Sequence, residues 1–142
     1  MVFYDADVWG PHYWFFLHTV AFTYPVTPNK VTKRKYYDFI QNFPLFIPSE
    51  NIGNRFAELL DKYPVTPYLD SRESFSRWVI FIHNKVNNML GKKEYTYLEG
   101  CDLYFDNYKP KQISLSERYR LNKKYVHAFL IIVLLAFVYY YS

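Results

Sequence analysis

Residues 75–92 read Phe75-Ser-Arg-Trp78-Val79-Ile-Phe-Ile82-His83-Asn84-Lys-Val86-Asn87-Asn-Met89-Leu90-Gly91-Lys92. Phe75, Trp78, Val79, Ile82, Val86, Met89 and Leu90 recur at intervals of three and four, the period of an α-helix with one apolar face. Gly91 follows as the C-terminal stop. A strand would alternate every second residue, and this stretch does not. The chain is therefore expected to fold around a long helix here.

Outward from that helix, proline and glycine divide the remaining sequence. Gly10-Pro11 is expected to open a first helix that closes at Tyr24-Pro25. Thr32 to Asn42 reads as a second, with Tyr36, Phe39, Ile40 and Phe43 on one side. Phe43-Pro44 through Ile47-Pro48 interrupts it. Ser49 is placed as the N-cap of a third helix ending near Tyr63-Pro64. Val65 to Leu69 reads as a loop, and residues 95–106 as a further short helix. No alternating strand pattern and no internal repeat is found. The fold class is all-α: a four- to five-helix bundle over residues 1–106, then a linker and start of a tail helix at 107–120, then a membrane anchor at 121–142.

Composition agrees with a packed fold. In 142 residues there are 16 Tyr, 13 Phe and 3 Trp, and 51% of residues are hydrophobic, so wholesale disorder is excluded. The formal net charge of +4 is mild and selects neither nucleic acid nor an anionic membrane by itself. The basic run Lys30, Lys33, Arg34 and Lys35 reads as a solvated helix face, so nucleic acid is not an expected partner. A single cysteine, Cys101, excludes an intramolecular disulfide and any multi-cysteine zinc site. His12, His18, His83 and His127 have no close metal-ligand spacing, and no metal is expected.

Every Lys, Arg, Asp and Glu lies at or before Lys124. Tyr125 to Tyr141 is apolar, and as a helix it would extend about 25 Å at ~1.5 Å per residue. With snorkelling side chains from Arg120 to Lys124 that length matches a bilayer core of roughly 30 Å. Tyr125 at one end and Tyr139 to Tyr141 at the other are placed as interfacial aromatics. Met1 is followed by Asp5 and Asp7 rather than by a basic and then an apolar segment, so no signal peptide is expected. Arg118, Arg120, Lys123 and Lys124 would hold the preceding domain on the cytosolic side of a tail-anchored protein.

Two segments concentrate rings and polar groups on otherwise apolar helices. The first is Trp9-Gly-Pro-His-Tyr-Trp14-Phe-Phe-Leu17-His18, closing with Tyr24-Pro25; the second is His83 to Lys92. His83 and Asn87, four apart, share one helix face. Such a pair, with Lys92 beyond the helix end, suits either a nucleotide heterocycle and phosphate or a core histidine bonded to a neighbouring carbonyl.

Together these segments resemble the Erv/ALR family of FAD-dependent sulfhydryl oxidases, in particular the short members of large DNA viruses. The pattern W-G-P-x-x-W-x-x-L-H-x-x-x-x-x-Y-P is met at Trp9, Gly10, Pro11, Trp14, Leu17, His18, Tyr24 and Pro25. The pattern H-N-x-V-N-x-x-L-G-K is met from His83 to Lys92. The resemblance implies a helical bundle cradling FAD, commonly in a homodimer. It would set Trp14 and His18 against the cofactor, His83, Asn84 and Asn87 at adenine and ribose, and Lys92 near the phosphates.

The family's Cys-x-x-Cys is absent. At its place stand Ser49-Glu50-Asn51-Ile52, followed by Asn54-Arg55-Phe56. Serine is a weak nucleophile at neutral pH and isoleucine none, whereas the family's chemistry needs a thiolate. Cys101 is too distant to rebuild the pair. The expectation is a catalytically inactive, membrane-anchored relative with a structural or assembly role, touching capsid proteins from a virion inner membrane. The alternative is an active FAD-linked thiol oxidase that works with a partner's cysteines.

Overall fold

The structure, a computed structural model, describes residues 4–110 and 115–141, with only the backbone of Leu121. Six α-helices are found among them: α1 (Ala6–Phe22), α2 (Lys30–Asn42), α3 (Glu50–Lys62), α4 (Arg72–Met89), α5 (Tyr97–Phe105) and α6 (Leu115–Tyr141). The chain forms two compact units, residues 1–107 and 108–142. The first holds α1 to α5; the second contains α6.

Local chemistry sets the starts of α1 to α5. Asp5, Asn29, Ser49, Ser71 and Thr96 each accept a backbone N–H through the side chain, satisfying a donor that the first turn leaves open. Thr96 and Glu99 form a reciprocal capping box. At the end of α4, Gly91 takes φ 65°, a left-handed conformation that costs glycine little. The expected start at Gly10-Pro11 is displaced: α1 begins at Ala6, capped by Asp5, and Pro11 lies inside it. Only one ladder bond, to the Asp7 carbonyl, is given up by that proline. The second helix likewise begins at Lys30 rather than Thr32, because Asn29 caps it. Val65 to Leu69, expected as a loop, contains a short 3-10 turn at Thr66–Tyr68.

The core lies between α1 and α4, closed by α2, α3 and the 3-10 turn Phe43–Phe46. Leu17, Ala21, Tyr24, Ile40, Phe43, Phe56, Leu60, Phe75, Trp78, Val79 and Ile82 are buried together. Each large side chain contributes about 1.5–3 kcal/mol on burial. The polar tips of the rings are satisfied: Tyr24 donates to the Leu69 carbonyl at 2.9 Å and Trp78 Nε1 to the Tyr63 carbonyl at 3.1 Å. Met89 and Leu90, expected on the buried face of α4, are exposed. The helix ends beneath them, and they border the cavity described below. Lys33 of the basic run pairs with Asp70.

In the second unit α6 is a 27-residue helix, long and apolar enough to cross a membrane, with no part of its apolar window buried. A 3-10 turn at Asp106–Tyr108 overlaps the start of the expected linker at 107–120, and residues 111–114 lie outside the described residues.

Candidate functional site

Between α1, α3, α4 and α5 the first unit encloses a cavity of about 830 Å³. That volume falls in the range of a site for a cofactor-sized molecule. Of the residues expected to bind a ligand, Trp14, His18, His83, Asn84, Asn87 and Lys92 all line it. They reach it from opposite walls: α1 supplies Trp14 and His18, one turn apart, and α4 supplies His83, Asn84 and Asn87.

The two histidines meet. His18 Nε2 lies 3.0 Å from His83 Nδ1, and the Trp14 ring stacks on His83 with centroids 3.9 Å apart and planes 8° from parallel. His83 is thus bonded neither to a carbonyl nor to solvent alone; its partner is another imidazole. Burial pushes the His18 pKa down to about 4. His83 is pushed down to about 3, first by burial, then by repulsion from His18 and Lys92. Both rings are neutral at pH 7, so one N–H serves their shared bond. His18 is 8% exposed, and its Nδ1 is buried without a hydrogen-bond partner. Placing the shared proton on His18 Nε2 leaves that Nδ1 a lone pair, cheaper to bury than an orphaned N–H.

Asn87 is 6% exposed, and its backbone carbonyl accepts from the Leu90 and Lys92 amides, shaping the turn after α4. The Lys92 Nζ stands 3.4 Å from the Asp7 carboxylate in an exposed pair. Asn84 lines the cavity with its amide bonded to backbone. Its Nδ2 donates to the Tyr95 carbonyl at 2.6 Å and its Oδ1 accepts from the Tyr95 N–H at 2.9 Å. One donor and one acceptor of the amide are used by the Tyr95 backbone, as a neighbouring strand would use them, and a second N–H and lone pair remain. Asn84 thereby ties Tyr95 to α4 at the edge of the cavity. Asn88 adds a bond of 2.7 Å to Glu94 in the same segment.

Ser49 and Ile52 occupy the first turn of α3. Ser49 Oγ accepts from the Ile52 N–H at 3.5 Å, a long capping bond. Ile52 lines the cavity, 37% exposed. Cys101 is a half-buried free thiol on α5 whose pKa is raised chiefly by burial, the opposite of an activated thiolate. Sequence reasoning missed Arg55, Tyr104 and Lys93 among the lining residues. Arg55, one turn after Ile52, was legible from that spacing alone.

Known proteins share this architecture. The Erv1 / Alr family profile matches residues 11–109. The chain is 37% identical over 111 residues to the "Probable FAD-linked sulfhydryl oxidase" of Acanthamoeba polyphaga mimivirus, covering 78% of each. It is 33% identical over 96 residues to the FAD-linked sulfhydryl oxidase of an African swine fever virus isolate, covering 68% of this chain and 79% of that one. Among solved structures, the yeast Erv1 core aligns with a TM-score of 0.64 at 27% identity, over 79% of this chain and 90% of that one. The FAD binding domain of Erv1 from Saccharomyces cerevisiae aligns with the same TM-score at 28% identity, over 75% and 96%.

Proposed function

The chain belongs to the Erv1 / Alr family, and we propose that it keeps the family's FAD cavity without the thiol chemistry. It serves as a membrane-anchored structural or assembly protein. One observation carries the reading. Ile52, a hydrocarbon, lines the cavity where the family resemblance places a redox cysteine, and Ser49 fills the other position. A carbon side chain can neither attack a disulfide nor pass electrons to a flavin.

FAD fits the groups present. The cavity is large, ringed by aromatic and aliphatic side chains, and it buries a histidine nitrogen that has no hydrogen-bond partner inside the protein, beside the buried Asn87. Trp14, His18, His83 and Asn87 would hold its ring systems, with Arg55 at its phosphates and Lys92 and Lys93 joining it by exchanging their exposed partners Asp7 and Glu99. Bound FAD would supply a two-electron acceptor. The chain's own residues orient and enclose it, and none offers a thiolate there.

The apolar α6 supports membrane anchoring, with its basic flank facing the cytosolic side. The viral relatives, together with exposed Tyr4, Tyr37, Tyr68 and Tyr108, support docking to capsid proteins from a virion inner membrane. A second copy of the chain is a further partner implied by family membership. The test is peroxide release by the full chain in detergent with FAD and a dithiol. The wild type should match free FAD, and the Ser49→Cys/Ile52→Cys variant should exceed it. A wild-type rate well above free FAD would replace this reading with that of an active thiol oxidase.

A further inference from the structure

Where α6 turns from polar to apolar, Arg120, Lys123, Lys124 and His127 lie on one side of the helix, continued by Ala128 and Ile131. Their spacing of three and four residues confines them to one sector of the helix. All four polar side chains are exposed. The ion pairs found among the described residues engage Lys33, Arg77, Lys92 and Lys93, not these cations. His127 Nδ1 is 2.7 Å from the Lys123 carbonyl, which can only accept. The ring therefore carries its proton on Nδ1 when neutral, and Nε2 is then an acceptor that gives a phosphate oxygen no hydrogen bond, so the charge of this face is carried by Arg120, Lys123 and Lys124. Glu117 shares this face one turn above Arg120, farther from the apolar segment.

We propose that this face holds the phosphate headgroup of an anionic phospholipid, with an acyl chain lying along Ala128 and Ile131. Charge complementarity names the occupant. Three fixed cations converge at the depth where a leaflet presents its phosphates, and the same face turns to hydrocarbon within one further turn. A soluble polyanion would match the cations but leave Ala128 and Ile131 against water. Mere positive charge at a membrane boundary would not require one face, and Arg118, about 120° around the helix from Lys124 at ~100° per residue, lies outside this sector. This inference rests on α6 spanning a membrane.

Full-length protein is reconstituted into phosphatidylcholine vesicles with a minor fraction of phosphatidylserine. It is then extracted in mild detergent, and the lipids retained are counted by native mass spectrometry. Flotation on pure phosphatidylcholine vesicles reports membrane insertion separately. Wild type should float and retain phosphatidylserine in excess of its mole fraction. Lys124→Gln should float equally and lose that excess by about fivefold, the worth of one interfacial cation. Arg118→Gln should change it less than twofold on the same scale. Equal losses in Lys124→Gln and Arg118→Gln would overturn the site in favour of diffuse charge. No enrichment in the wild type, or its abolition by short duplex DNA at equal phosphate, would also overturn it. Failure to float would overturn the membrane reading itself.

Discussion

His18 on α1 and His83 on α4, 65 positions apart in the chain, share a hydrogen bond of 3.0 Å between ring nitrogens. This bond ties the two helices that carry the core, and it exists only while at least one ring is neutral. Trp14 stacked on His83 shields the pair on one side. The same three side chains form a wall of the cavity, so the state of the pair and the shape of the site are linked.

Acid should therefore unfold the first unit early. The folded pKa values, about 4 for His18 and about 3 for His83, lie below the ordinary 6.5. Between those limits the unfolded chain binds more protons than the folded one. Stability is full above pH 6.5, falls as pH drops, and levels off below the folded values. Between pH 7 and 5 each histidine should cost about 2 kcal/mol and the pair about 4 kcal/mol, seen as a lower urea midpoint. His83→Gln should flatten the dependence. An unchanged midpoint over this interval would show that the imidazoles are not buried neutral.

Asn84 is a structural clamp on residues 92–95, and its loss should be felt there first. Asn84→Ala strands the Tyr95 N–H and carbonyl and should cost about 1–3 kcal/mol. Hydrogen exchange at the Tyr95 amide should accelerate far more than exchange within α1. Uniform acceleration, or none, would contradict the clamp.

Gly53 gives a prediction of opposite sign to the general rule. Glycine to alanine within a helix ordinarily stabilises by about 0.5–1 kcal/mol. Here a Cβ would stand 2.7 Å from the Pro44 carbonyl oxygen, a backbone atom that cannot swing aside. Gly53→Ala should instead destabilise by about 1–3 kcal/mol, read from thermal melting. A raised melting temperature would mean that α3 does not approach the Phe43–Phe46 turn so closely.

Much of this could be read before any coordinates. The three-four spacing in Phe75 to Val86 placed α4, and Ser49 was recognisable as a cap because its hydroxyl precedes an amphipathic run. Pro11 reads as a first-turn proline, yet the Asp5 cap is the stronger signal and sets the start of α1 five residues earlier. Thr96-x-x-Glu99 is a capping-box pattern that marks the start of α5 to the residue. Within the site, residue types pointed to the cavity and pairing did not. No local pattern says that two histidines on different helices will bond each other, or that Asn84 will face backbone. Those facts depend on how α1, α4 and the 92–95 segment pack.

An anaerobic titration tests the central claim, an intact FAD cavity without its thiol partner, most directly. FAD is added to the full chain, and a dithiol is then added while the visible spectrum is followed. Binding should shift and quench the flavin bands and raise the melting temperature by linkage. The bound flavin should then bleach no faster than free FAD, in the wild type and in Cys101→Ala alike. Rapid bleaching in the wild type, or a flavin spectrum untouched by the protein, would contradict the account.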